Sequence, residues 1–495
     1  MRSSFSGIEI SRRALLASQG ALDVVSHNVS NTNTPGYSRQ RAALQTTSPY
    51  TVPSMYKSPI PGQVGTGVEI QSITRARDGF MDNQYRRENT SLGYWDVQED
   101  SLSKLEGVFN EPSDTGFQTV LNRFWESLQE LAKNPQLDAV RSTVRQRAVD
   151  VADTFNHTYN TLVQQQLDLN EEVEIRCQEV NNNTKQIQDL NKQIVKSEAT
   201  GDHANDLRDK RDLLLDELSK LVSIQVNEDQ NGAVSVSTIG QTLIQGDYVA
   251  EMETVTLMPG KNGQEIVTPV WKGTTVQVLF DGGIIDGLMV TRDNSVNNVP
   301  PDGKNGIQGY IDQMNNLAQA IITDFNTANQ AGFDYNGDPG EDFFVDITIA
   351  TPPSSVINWA KDIAVTPAIL ADGKAIAASS TADGVPGNGN NALVLGNLSK
   401  KVNATLNNST YEDYYKAMIS QLGVDSQASQ RFSENQDLMV SSIENRRQSV
   451  SGVNMDEEMT DMIKYQKVYS AAARMMTTYD EMLDTIINGM GRVGR

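Results

Sequence analysis

Apolar and small positions recur at steps of three and four over the first thirty residues. Ile8, Ser11, Leu15, Ser18, Leu22, Val25 and Val29 fall on one narrow helix face. The pattern stops in a polar run, Ser30 to Thr34. Thr34-Pro35-Gly36-Tyr37 follows, with proline where a turn wants φ preset and glycine where a type II turn needs positive φ. The spacing predicts a seam helix, a turn and an extended exit. The other end of the chain repeats the theme more strictly. Met455, Met459, Met462, Gln466, Tyr469, Ala473, Met476, Asp480, Leu483, Ile487 and Met490 lie on a three-four spacing, and nine of the eleven are apolar. That is a coiled-coil seam. Methionine is unbranched and flexible, so such a seam tolerates differing neighbours. Isolated helices are marginal in water, so each seam needs a second wall. Ile8 to Val29 is the obvious partner within the chain. It is the shorter stripe, which leaves part of the C-terminal stripe for neighbouring subunits.

Between the seams the pattern is mostly helical. Residues 42 to 78 read as extended and turn-rich, with a strand or hairpin at VGTGVEIQSITRARD. Leu92, Trp95, Leu102, Leu105 and Phe109 mark one helix; Phe117, Leu121, Phe124, Leu128 and Leu131 mark a second. A third stripe runs from about Leu137 to Ser197, roughly 90 Å at ~1.5 Å per residue. That length predicts a rod element or two helices with a break, and Asn181-Asn182-Asn183 is the weakest point. Asn205 to Val222 reads as a returning helix. From Ser223 to about Asn298 short alternating stretches predict a small β domain, with strands at AVSVSTI, ETVTLM, TTVQVLF and IIDGLMV. Helix returns at Gly306. Asn391 to Leu406 and Tyr411 to Val450 read as two further helices, with Asp413, Glu434, Arg446 and Arg447 on the outer face of the second.

Several of these stretches resemble the flagellar axial protein family, the rod, hook and hook-associated proteins. The resemblance rests on SRRALLASQGALDVVSHNVSNTNTPGYSRQ, NDLRDKRDLLLDELSKLV, AGFDYNGDPGEDFF and DEEMTDMIKYQKVYSAAARMMTTYDEMLDTIINGMG, four segments in the right order. Asn28, Asn31, Thr34, Pro35, Gly36 and Tyr37 occupy the family's asparagine-rich turn. The middle segments favour the hook-associated branch that joins hook to filament; hook protein or another hook-associated protein is the alternative. The resemblance implies an elongated, mainly α protein with a small, outward β insertion. Its terminal helices would pair as a coiled coil over 1–60 and 450–495. A helical rod-like domain would span 61–222 and 305–449, with the β insertion at 223–304. It implies assembly, with termini mobile in the monomer and ordered on polymerisation. The N-terminal assembly residues are then Ile8, Leu15, Leu22, Val25, Asn28, Val29, Asn31, Thr34, Pro35, Gly36 and Tyr37. The C-terminal ones are Met459, Met462, Gln466, Tyr469, Ala473, Met476, Leu483, Ile487 and Met490. The implied partners are further copies in a ring, hook protein or neighbouring hook-associated proteins, and an export chaperone on the C-terminal helix. The implied location is the extracellular flagellum, reached without a cleaved signal peptide.

Composition narrows the picture. At 495 residues the chain exceeds one core. A net charge of −22 argues against nucleic acid and anionic membranes, which attract positive charge. No run is long and apolar enough for a membrane span. The single cysteine, Cys177, excludes an internal disulfide. His27, His157 and His203 are far apart, no HExxH, GxSxG or phosphate-binding loop occurs, and the chain reads as no enzyme, with no cofactor. Asp334, Asn336 and Asp338 alternate like a calcium loop, but Pro339 stands where that loop needs glycine and Val345 where it needs glutamate. A turn is expected there. The glycines at 387 and 389 mimic a dinucleotide fingerprint without a preceding strand, and are expected to form a loop capping the next helix.

Overall fold

The computed structural model describes residues 5–48, 65–114, 116–294, 306–350 and 357–489. Helix α1 (Ser6–Ser30) leads through a turn into the hairpin of β1 (Gln40–Thr46) and β2 (Val68–Arg75). The hairpin is antiparallel, Gln40 opposite Arg75 and Thr46 opposite Val68, with a bulge at Ala43/Leu44. The prolines 49, 53, 59 and 61 lie outside the described residues. Four helices follow: α2 (Gly79–Phe109), α3 (Phe117–Lys133), α4 (Asp138–Glu198) and α5 (Asn205–Leu221). Strands β3 (Gln225–Glu228), β4 (Val234–Thr238), β5 (Gln241–Gln245) and β6 (Tyr248–Val249) form an antiparallel meander. Strands β7 (Met252–Pro259) and β8 (Glu265–Trp271) form a separate hairpin. Then come α6 (Ile284–Asp293), α7 (Gly306–Gln330), short α8 (Ile347–Ala350), α9 (Trp359–Asp362) and α10 (Pro367–Ala371), then α11 (Asn390–Asn397). Helix α12 (Tyr411–Ser451) returns along α2, and α13 (Met455–Asp484) closes the chain with a π-helical turn at Thr485–Gly489.

Helix α4 is unbroken over 61 residues, asparagine run included. The polar positions are satisfied rather than disruptive. Asn181 donates to the Met252 carbonyl at 2.8 Å and accepts from the Met252 N–H at 2.8 Å. Asn191 makes the same pair of bonds to Val234, at 2.9 and 3.1 Å. Asn170 accepts from the Val267 N–H at 2.8 Å and donates to the Glu265 carbonyl at 3.3 Å. Residues 170, 181 and 191 are about three helical turns apart, so they lie on one face. One helix thus pins β8, β7 and β4 in sequence. The strands lie along α4 because its amides complete their edges.

The main core is aromatic. Phe124, Trp125, Phe325, Phe343, Phe344 and Tyr411 pack with ring centroids 5.0 to 6.1 Å apart, from Phe343 and Phe344 at the short end to Phe124 and Phe343 at the long end. Helices α2 and α12 run antiparallel, joined by the stacked Trp95 and Phe432 at 4.6 Å and by Phe109 near Tyr415.

Four stretches differ from the sequence reading. TTVQVLF is not a strand: it makes only an isolated bridge, Gln277 to Val270. IIDGLMV is not a strand: it lies within α6, packed among α2, α4 and α7. A short apolar run fits either a buried helix or a buried strand. Its start decides. Gly282 and Gly283 both have φ of +88°, the Gly282 N–H donates to Asp286 and the Gly283 N–H to the Thr90 carbonyl. A side chain at Gly283 would sit 2.5 Å from the Leu221 carbonyl. The helix expected over Asn391 to Leu406 ends at Asn397 and passes into two 3-10 turns. There Lys401, Asn403 and Tyr411 all converge on Asp324. Arg447 points inward, as described below. At the pseudo-calcium loop the Asp334 carboxylate accepts the Asn336 and Asp338 N–H groups at 2.8 and 2.9 Å, a turn capped by its own side chain.

Asn181→Ala removes both partners of a strand backbone, whereas Asn182 is exposed. We expect Asn181→Ala to lower unfolding free energy by about 1–3 kcal/mol, and Asn182→Ala to stay within about 0.5 kcal/mol. Urea titration of both variants checks this.

Candidate assembly site at the paired termini

Helices α1 and α13 pack against each other antiparallel. Gly7 lies against the Tyr479 ring, where an added Cβ would come within 2.4 Å of it. At the other end Asn28 donates to the Glu458 carboxylate at 3.0 Å. Gly7 to Asn28 and Tyr479 to Glu458 each span three heptads, so the register is continuous. The buried face of α1 is Gly7, Ser11, Ser18, Ala21, Val25 and Asn28. The Ser11 and Ser18 hydroxyls bond back to the Gly7 and Ala14 carbonyls, leaving a small, smooth surface. The less exposed face of α13 is Glu458, Met462, Tyr465, Ala472, Met476, Tyr479 and Leu483. Small residues on one helix receive large ones from the other.

The observed seams overlap the predicted ones by half. Val25 and Asn28 are buried, but Ile8, Leu15, Leu22 and Val29 sit one residue aside and are only half-buried. Met462, Met476 and Leu483 turn toward α1, Ala473 is half-buried, and Met459, Gln466, Tyr469 and Ile487 are exposed. Met490 lies outside the described residues. A pattern search rewards large apolar residues, so it chose the flank over the small-residue face.

The turn closes one end of this pair. Asn31 bonds the His27 carbonyl at 3.0 Å and accepts from the Thr34 hydroxyl at 3.1 Å. Thr34, Pro35 and Gly36 are exposed; Gly36 has φ of +75° and faces Leu213. The Tyr37 hydroxyl donates to Asn28 Oδ1 at 2.8 Å and lies 3.1 Å from His27 Nδ1. Burial, then the charges of Asp206, Asp209 and Glu458, push its pKa up, so it remains a donor. Asn28 also bonds the N–H and carbonyl of Gln40, each at 2.9 Å.

Next to it lies a charge junction that sequence reasoning missed. Glu458 is 1% exposed. Arg39 Nε donates to it at 2.6 Å, and another Arg39 nitrogen binds Glu457. Burial alone would lower the Arg39 pKa; Glu457 and Glu458 outweigh that and raise it. The Arg39 N–H donates to the Ser451 carbonyl at 2.8 Å, tying the N-terminal arm to the end of α12.

Helix α5 supplies the floor. Asp209 accepts from the Ser38 N–H at 2.9 Å and from Arg75 at 2.7 Å. Asp212 accepts from Arg75 at 2.8 Å and Asp216 from Arg86 at 2.8 Å. Arg447 binds Asp216 and lies 4.1 Å over the Tyr85 ring. It is therefore an inward tie between α12 and α5, not part of an outer face. Burial would raise the Asp212 pKa, but Arg77, Arg75 and Arg86 outweigh it and lower it to about 2. The signal was available: Asp209, Asp212 and Asp216 follow helical spacing in the same segment read only for its leucines. Cys177 is buried, and burial pushes its thiol up to about 12, a packed and unreactive group. Among the described residues no His, Cys, Asp and Glu cluster could hold a metal ion, and no helix is long and apolar enough to cross a membrane.

The paired terminal helices are the segments that match flagellar rod protein families, which places the chain among the flagellar axial proteins. Residues 8–37 match the flagella basal body rod protein family, residues 444–489 the flagellar basal body rod FlgEFG protein C-terminal family, and residues 102–344 the flagellar hook-associated protein FlgK helical domain. The chain is 35% identical to flagellar hook-associated protein 1 of Bacillus subtilis, covering all of both chains. It is 25% identical to flagellar hook-associated protein 1 of Escherichia coli, over 96% of this chain and 98% of the relative. The chain belongs to the flagellar hook-associated protein 1 family, whose members are structural proteins of the bacterial flagellum. The solved flagellar hook junction protein FlgK of Burkholderia pseudomallei shares the fold, with TM-score 0.61 and 18% identity over 74% of this chain and 100% of that one.

Asp212 has a folded pKa below its ordinary 3.8, so its contribution to stability is fully present above about pH 4 and is lost as pH falls toward 2. Asp212→Asn leaves three arginines short of a charge and is expected to cost about 3 kcal/mol at pH 7. Denaturation midpoints measured from pH 5 to pH 2 should fall less steeply in the variant than in the parent protein.

Proposed function

We propose that the chain joins the hook to the filament as a ring of copies held together through the paired terminal helices. The observation that carries this reading is the incomplete cover of α13. Helix α1 shields one face, while Met455, Met459, Ile463, Val468, Tyr469, Met475, Met482, Ile486 and Ile487 remain exposed. Exposed large apolar side chains gathered on one helix mark an interaction site. Neighbouring axial subunits, copies of this chain or hook protein and other hook-associated proteins, supply the missing walls. In this reading residues 1–60 with 450–495 form the assembly domain, 61–222 with 305–449 the helical body, and 223–304 the insertion.

Before assembly the same surface needs protection. An export chaperone that takes the amphipathic α13 in a groove would provide it, a recognised mode of helix capture. The chain would leave the cell through the flagellar export channel without a cleaved signal peptide. It acts by binding, not by catalysis.

Met459→Asp and Met475→Asp place a charge on exposed positions away from the face of α13 that meets α1. The monomer should melt within about 0.5 kcal/mol of the parent. Both variants should be missing from purified flagella, lose swarming and fail to co-purify with the chaperone. Normal motility with either variant contradicts the proposal.

A further inference from the structure

Asparagine is followed by glycine at 231, 262, 305, 336, 388 and 488. The pair carries its own chemistry. No side chain crowds the glycine, so its nitrogen can reach the side-chain carbonyl carbon of the asparagine when the backbone between them turns. Folding suppresses this by gripping either partner. Asn305 lies outside the described residues. The other five differ in how firmly they are held.

Asn262 and Gln308 exchange hydrogen bonds between their amides at 3.0 and 3.4 Å, and the Gly263 N–H donates to the Gly260 carbonyl at 2.9 Å. Asn388 accepts the Asn390 N–H at 2.8 Å and donates to Ser380 at 3.3 Å, while a Cβ at Gly389 would meet the Ala132 carbonyl at 2.1 Å. Asn488 sits in the closing π-helical turn with its amide on Asp484 at 2.5 Å. Asn231 is exposed, but Gly232 is buried. The Gly232 N–H donates to the Asp229 carbonyl at 3.2 Å, its carbonyl accepts from Arg211 at 2.6 Å, and an added Cβ would lie 2.5 Å from Glu198. Asn336 differs on both counts. It is exposed, and its amide reaches Asp334 only at 3.5 Å, the outer limit of a hydrogen bond. The Gly337 N–H reaches the Asp334 carbonyl only at 3.4 Å. A Cβ at Gly337 would find its nearest neighbours at 3.6 and 3.7 Å, so nothing grips this glycine.

We propose that Asn336 is a site of spontaneous deamidation, because among the described pairs it alone has a loose side chain and a loose following amide together. The Gly337 nitrogen gives its proton to hydroxide and bonds to Asn336 Cγ, closing a cyclic imide. The Cγ–Nδ2 bond breaks, and ammonia leaves with a proton taken from water. Water then opens the ring. Cleavage at Cγ gives aspartate; cleavage at the main-chain carbonyl gives isoaspartate. One water is consumed and one ammonia released, with no oxidation or reduction. Either product puts a third carboxylate in the turn, between Asp334 and Asp338. Isoaspartate also adds a methylene to the backbone between 336 and 337. Asp334 can then no longer accept both the Asn336 and Asp338 N–H groups that now shape the turn.

The test ages the full-length protein at mildly alkaline pH. Peptides are mapped by mass spectrometry for the amide-to-acid gain, and isoaspartate is scored with an isoaspartate methyltransferase. Asn336 is expected to convert several-fold faster than Asn231, Asn262, Asn388 and Asn488, with isoaspartate among its products. In urea, which frees every backbone, the five rates should converge. Gln308→Ala releases the Asn262 amide and should raise conversion there while leaving the Asn336 rate unchanged. Faster conversion of another described pair in the folded chain overturns the proposal. A ranking that persists in urea also overturns it, since the fold would then not be its cause.

Discussion

A buried carboxylate sets the terms for both ends of this chain. Glu458 is shut away from water, and an unpaired buried charge costs several kcal/mol. Its two partners come from different elements, Arg39 from the N-terminal arm and Asn28 from α1. Asn28 in turn holds Tyr37 and both backbone groups of Gln40. None of the three elements can leave without stranding a polar group on the others. The seam beyond this point is built from glycine, serine and alanine on α1. It offers close approach and little directionality. The charge junction therefore fixes the register, and the seam follows it.

The same device recurs at the body. The acidic stripe of α5 is matched by Arg75 and Arg86, with Arg447 from α12, and Ser38 joins through its backbone. Asparagines on α4 hold three strands in the same manner. Across the molecule, apolar packing supplies cohesion, and paired polar groups decide which element lies where. That division suits a part whose task is to hold neighbours in fixed positions.

Much of the architecture could be read from periodicity. The terminal helices and the helical stripes at 92–109, 117–131 and 137–197 follow from apolar spacing alone, although spacing left open whether the last was one helix or two. Where the reading failed, two physical effects were at work. Ile8, Leu15, Leu22 and Val29 drew attention because they are large, yet Gly7 and Ala21 make the contact because they are small. IIDGLMV looked like a strand because a short buried run has no readable period. Asp209, Asp212 and Asp216 were visible but mute, since in an acidic chain a carboxylate gains meaning only when its arginine is known. Arg39 and Glu458 lie more than four hundred residues apart, and no local pattern connects them.

Amide hydrogen exchange on the monomer of Arg39→Met, set beside the parent, tests the central claim most directly. If the junction sets the pairing, α1 and α13 lose protection together in the variant, while α4 and α7 keep theirs. Unchanged protection of both terminal helices, or loss confined to one of them, would contradict it.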